Sequence, residues 1–185
     1  AARPGGLARG GRVVADALAG YVQVLDGHTA AGMDRIRRAP GGADEDDHAP
    51  GMRAMVARVL LEACVVAGDT RTGLVAADGA LGLDGDVRTW ASEARRRRAE
   101  FLAALGAPAD EVEAELRRAL EVARGQGARL LELRAATSLL HHRLDAGDDR
   151  SPHRDRERLR AVLDTLPERG DTPDLREAAA LLARG

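Results

Sequence analysis

Three clusters in this 185-residue chain hold side chains suited to chemistry. Asp44 to His48, "DEDDH", offers four carboxylates and an imidazole, a donor set that suits Ca²⁺ or Mg²⁺. His141 and His142 stand four and three residues before Asp145, so one turn of helix would bring an imidazole to that carboxylate for metal binding. Glu93 to Glu100, "EARRRRAE", sets four consecutive guanidiniums between two glutamates, and guanidinium forks grip phosphate and carboxylate.

Each cluster also has a plainer reading. The acidic run lacks the alternating ligand spacing and following Glu of a calcium loop, so a solvated loop is expected. The histidines have no further ligands at a readable spacing, and a surface or helix-end position is expected for both. Neither has a Ser or Cys nucleophile at a spacing that suggests a catalytic pair. A third candidate, a small metal-dependent enzyme using the acidic loop with His141 and His142, is therefore the weakest. Four consecutive arginines wrap around a helix and cannot all face one ligand. Glu93 with Arg97 and Arg96 with Glu100 are i, i+4 pairs, which predict a solvated face. The functional alternative is that Arg95 or Arg98 points into a groove and takes an acidic peptide or a phosphate.

These clusters need elements to position them, and composition limits the choice. Aromatics are 2% of the chain, so the core must be built from Leu, Val and Ala, which favours helices over sheet. All 28 basic residues are Arg, as coding bias in a GC-rich genome would give. A net charge of −2 argues against a general nucleic-acid surface. The single Cys, Cys64, excludes an internal disulfide and lies in "VLLEACVVAG", where a buried, inert thiol is expected. Apolar runs fall short of a membrane span and no signal-peptide core is present, so the cytoplasm is the default location.

Helical periodicity is clearest in "DEVEAELRRALEVARGQG". Val112, Leu116, Ala119, Leu120 and Ala123 form one stripe, and Gly125 is placed to end the helix. In "ARLLELRAATSLLHHRLDAG", Leu130, Leu133, Ala136, Leu140 and Leu144 form one face and Leu131, Ala135 and Leu139 a second, as an inner helix requires. Gly27, Gly68, Gly106 and Gly147 each separate two helical runs, at intervals of about 41, 38 and 41 residues. The trios Gly32/Ile36/Ala39 and Gly73/Ala77/Ala80 then repeat at the same offset, and Val112/Leu116/Ala119 follows after a one-residue slip. The pattern is a helix–turn–helix pair made four times. Residues 1–10 read as a disordered or remnant N-terminus, 11–185 as the repeat region, and 40–51 as an exposed acidic loop. Ser151 and Pro152 mark the start of the fourth second helix. A last helix over 172–184, with Thr172 as cap, Pro173 at N1 and an apolar stripe of Leu175, Ala178, Ala179 and Leu182, reads as a lid on the final pair.

The Gly–x4–small–x3–apolar–x2–Ala spacing resembles tetratricopeptide repeats. The segments "AELRRALEVARGQGARLLELRAATSLL" and "DTPDLREAAALL", with "GYVQVLDGHTAAGMDRIRRA" earlier, resemble the C-terminal helical-repeat region of bacterial multidomain signal-transduction ATPases. Such proteins join an NB-ARC-like ATPase to a LuxR-type or other winged-helix DNA-binding domain, or to a nucleotide cyclase. The resemblance runs from about Gly20 to the end and is strongest over Trp90 to Leu182. Leu163 and Leu166 stand where that family carries aromatics. No GxxxxGK[ST] phosphate loop occurs, so the ATPase module itself is not in this sequence.

The expected fold is all-α: a right-handed, tetratricopeptide-like solenoid of four helix pairs plus a C-terminal capping helix. The resemblance implies a non-catalytic sensor or scaffold region of an ATPase-type transcriptional regulator. Its partner would be a protein or peptide, or the ATPase or DNA-binding region of the same polypeptide, with no direct nucleic acid, membrane, cofactor or metal. First helices line the concave face of such stacks, which makes Tyr21, Trp90, Arg95, Arg97 and Arg98 the candidate groove contacts. The alternative is a free-standing adaptor holding a peptide in the same groove. Oligomeric state stays open.

Overall fold

Five short turns set the geometry of this chain. Gly27, Gly68, Gly106, Gly127 and Gly147 all have positive φ, between 64° and 86°, in the left-handed region that a side chain resists. After Gly27, Gly68, Gly106 and Gly127, the next amide donates to the carbonyl five residues back: His28 to Gln23 at 2.8 Å, and Asp69 to Cys64, Ala107 to Leu102 and Ala128 to Ala123 at 3.0 Å. This is the Schellman closure, which satisfies carbonyls that a helix end would leave bare.

The turns connect helices in a computed structural model that describes residues 4–39, 50–82, 90–147, 152–166 and 172–184. Those residues form nine α-helices and no strand: α1 (Pro4–Leu25), α2 (Thr29–Arg38), α3 (Pro50–Ala67), α4 (Thr70–Leu81), α5 (Ala91–Ala104), α6 (Ala109–Gly125), α7 (Arg129–Asp145), α8 (Pro152–Asp164) and α9 (Pro173–Ala183). The all-α expectation holds. Gly27, Gly68, Gly106 and Gly147 lie between α1 and α2, α3 and α4, α5 and α6, and α7 and α8. Gly125 does not end α6 by a left-handed turn; it is the last helical residue, and Gly127 takes the positive φ.

Boundaries shift in two further places. α1 begins at Pro4, inside the stretch read as remnant. Pro50 and Gly51, read as the end of the acidic loop, open α3, while 40–49 lie outside the described residues. Ser151, the expected cap of α8, is likewise outside them. At α9 the start is as anticipated: Thr172 Oγ1 accepts the Leu175 amide at 3.4 Å, with Pro173 in the first turn. Of the expected stripe, Ala178 is buried and Leu175 and Leu182 are half-buried, but Ala179 is exposed and Leu181 is buried in its stead.

The chain divides into two compact units, Ala1–Arg88 and Thr89–Gly185. In the first, α1 packs on α2 and α3, and α3 on α4. The α1–α2 crossing is made by two glycines. A Cβ on Gly20 would stand 2.7 Å from Ile36 Cγ1 and 2.8 Å from the Gly32 carbonyl, and one on Gly32 would stand 2.7 Å from Val24 Cγ2. No side chain fits there, so the backbones meet directly and Ile36 is fully buried beside them. Cys64 is buried in the same unit. Burial pushes its thiol up to about 12, with the Asp69 charge adding to the effect, so it stays protonated.

In the second unit α7 is the centre, touching α5, α6, α8 and α9. Leu133 and Leu140 on one face and Ala135 and Leu139 on the other are all buried, as its two apolar stripes anticipate, though Leu130 is exposed. Val112, Leu116, Ala119, Leu120 and Ala123 bury the α6 stripe in full. Among the described residues, no helix is long and apolar enough to cross a membrane.

Two glycine substitutions test this packing with opposite signs. Gly32→Ala should destabilise the first unit by about 1–3 kcal/mol despite the better helix propensity of Ala, because overpacking outweighs it. Gly79→Ala, where nothing lies within 4 Å of the added Cβ, should stabilise by about 0.5 kcal/mol. Urea midpoints of the two variants against the parent chain measure both.

Candidate functional site

The arginine run 95–98 is not the solvated face that its i, i+4 pairs suggest. Glu93, one helical turn before Arg96 and Arg97, is only 1% exposed, and Arg96 is 8% exposed. The cause lies elsewhere in the chain: α7 packs over this part of α5 and brings Arg134 and Ser138. A buried carboxylate without partners would shed its charge or unfold the site. Here it has three arginines.

Arg96 grips Glu93 with two parallel bonds, Nε to Oε2 at 2.9 Å and Nη2 to Oε1 at 2.6 Å. This fork is the strongest form of guanidinium–carboxylate contact. Arg97 Nε lies 3.4 Å and Arg134 Nη1 3.9 Å from Glu93 Oε1. Arg96 Nη1 also donates to Glu100, and to Ser138 Oγ at 3.3 Å. Arg97 Nη1 donates to Glu100 at 2.9 Å. Arg134 extends the network to α9, donating from Nε to both Asp174 oxygens at 3.1 Å and from Nη2 to Oδ2 at 2.9 Å. Three arginines and three carboxylates thus tie α5, α7 and α9 together and cancel in charge.

Burial alone would raise the Glu93 carboxyl, but the Arg96 hydrogen bonds and then the charges of Arg96, Arg97 and Arg134 outweigh it and hold it below its ordinary 4.5. Arg96 shows the converse. Burial disfavours its charge, yet the bonds and charges of Glu93 and Glu100 keep it firmly protonated.

Three other buried carboxylates repeat the theme in this unit. Glu115 on α6 meets Arg118 at 2.7 Å, Arg95 at 3.2 Å and Arg98 at 3.6 Å. Glu132 on α7 meets Arg124 at 2.7 Å and Arg129 at 2.8 Å. Burial raises its carboxyl, and the two arginines more than reverse that. Asp155 on α8 meets Arg143, which also donates to Glu113 at 2.6 Å. All buried charged side chains among the described residues belong to the second unit.

The anticipated contacts therefore separate. Arg97 is drawn into the neutral Glu93 network, and Arg95 and Arg98 turn instead to Glu115. Trp90 is half-buried at the start of α5 and Tyr21 half-buried on α1. The structure does not bring the histidines to a shared site. His141 Nε2 lies 3.5 Å from Asp145 on an exposed surface, whereas His142 Nε2 lies 3.0 Å from the Ala109 carbonyl. No group of three or more His, Cys, Asp or Glu is arranged to hold a metal among the described residues. Asp44 to His48 lie outside those residues. Ser92, which donates to the Ala119 carbonyl at 2.9 Å between α5 and α6, and Arg134 escaped the sequence reading. Periodicity reports which residues share a face but not which distant helix will cover it. No protein family, curated protein or solved structure matches the chain.

Removing the central charge should be costly. Glu93→Gln leaves buried Arg96 with Glu100 alone as counter-ion and should lower stability by about 3 kcal/mol, measured by urea unfolding. The acid response carries the same signature. Glu93 and Glu132 have folded values below the ordinary 4.5, so the stability they contribute is present above that value and lost as pH falls through the lower folded ones. Thermal midpoints should therefore drop steeply below about pH 4.5, and less steeply in Glu93→Gln than in the parent chain.

Proposed function

We propose that this chain is a non-catalytic interaction module: a right-handed, tetratricopeptide-like stack that serves as the sensor or scaffold segment of a cytoplasmic bacterial ATPase-type transcriptional regulator. The observation that supports it best is the recurrence of one turn. A helix, a left-handed glycine and a second helix occur at Gly27, Gly68, Gly106 and Gly147, followed by a single helix with its own capped start. Repetition of one helix pair is how stacked repeats extend a surface, and the odd terminal helix suits a cap with one buried side.

The chemistry of the second unit fits this reading. Its buried carboxylates are held by arginines at hydrogen-bonding distance, an arrangement that fixes helices in register rather than one that moves protons. In a signalling ATPase, such a segment would bind a partner, or the ATPase region of its own polypeptide, in one nucleotide state more than another, and so bias the on–off equilibrium.

An immunoblot of the source cell with an antibody to this chain tests the assignment. A native band several times larger than 19.5 kDa is the expected result. A band at that size would overturn the regulator assignment and favour a free-standing adaptor.

A further inference from the structure

The buried carboxylates of the second unit differ in how fully their arginines are neutralised. Arg96 lies between Glu93 and Glu100, and Arg143 between Glu113 and Asp155. Glu132, between Arg124 and Arg129, and Glu115 are the opposite case, and Glu115 gathers the most arginines, Arg95 and Arg98 from α5 and Arg118 from α6. Arg95 and Arg118 have no second carboxylate among the described residues. Those two guanidiniums against one carboxylate already carry a net positive charge, before Arg98 is counted.

Their exposure gives that charge a direction. The Glu115 side chain is 4% exposed, while Arg95 and Arg118 are 29% and 60% exposed. The negative charge sits beneath and the positive charge faces outward. A guanidinium fixed at one edge by a buried carboxylate keeps N–H donors for a second anion and loses little conformational freedom in binding it. Burial of Glu115 thus preorganises the arginines as well as being compensated by them.

Resting on the reading of this chain as an interaction module, we propose that Arg95, Arg98 and Arg118 form an anion clasp over Glu115 that binds a carboxylate-rich segment of a partner protein. A short acidic segment fits better than a nucleic-acid backbone. A long phosphate backbone would run past the three arginines over a chain whose net charge is −2, whereas a few side-chain carboxylates meet the clasp alone. Arg95 and Arg98, one turn apart on α5, with Arg118 on α6, suit successive acidic side chains of one segment.

The test uses the full chain and a fluorescent hexaglutamate peptide, read by anisotropy. The parent chain should bind the peptide, and Arg118→Glu, a change at an exposed position, should weaken binding at least about tenfold with helicity unchanged. Arg129→Glu, in the separate Glu132 cluster, should leave it within about twofold. Three results would overturn the clasp: no binding by the parent chain, equal binding by Arg118→Glu, or equal loss in both variants. Tighter binding of an oligonucleotide of the same charge would overturn the assignment to a protein segment. Failure of the peptide together with a native band far above 19.5 kDa sinks the clasp alone. Binding of the peptide with a band at that size sinks the regulator assignment alone.

Discussion

The second unit depends on the ionised carboxylate of Glu93. A charge shut away from water carries a desolvation penalty of several kcal/mol, and an isolated one would be expelled or neutralised. Two parallel bonds from Arg96 make it tolerable, and the charges of Arg97 and Arg134 complete the compensation. Each partner then imposes a position on something else. Arg96 reaches Ser138 and so fixes α5 against α7, and Arg134 reaches Asp174 and so fixes α9 against α7. An apolar core of Leu and Ala with few aromatics has little shape with which to choose one helix register over the next. Directional bonds at buried sites supply that choice even where they add little net stability.

The first unit solves the same problem by another route. Its buried residues among those described are apolar, and the α1–α2 register is set by the fit of Gly20 and Gly32 against Ile36 and Val24. Steric exclusion does there what ion pairing does in the second unit. Both devices suit a chain rich in Ala, Gly and Arg that offers only Tyr21, Trp90 and Phe101 as aromatic anchors.

What the sequence made legible was local. The left-handed turns at four glycines, the two-sided burial of α7 and the Thr172 cap follow from interactions spanning a few residues, and the chain order carries them directly. The burial of the arginine run is not local, because i, i+4 spacing describes one helix in isolation. Arg134 is 41 positions from Glu93, and Asp174 is another 40 beyond it, so no local pattern announces their convergence. A hint was present in the imbalance of four arginines against two glutamates over 93–100, which calls for acids from elsewhere. Asp174 lies in the first turn of α9, where an acid favours the helix start, and it also receives Arg134. The division of the run between Glu93 and Glu115 emerges only when α6 and α7 are in place.

That division carries the functional account, since two of the four arginines are absorbed by a neutral network while the other two join Arg118 in holding buried Glu115. Hydrogen exchange at the arginine Nε–H groups, followed by NMR, tests it most directly. The Arg96 Nε–H, bonded to buried Glu93, should exchange far more slowly than that of Arg118, whose side chain is 60% exposed. Its protection should vanish in Glu93→Gln. Equally rapid exchange at Arg96 and Arg118 in the parent chain would contradict the account, because the Glu93 network would then be open to solvent and the helices would be held by something else.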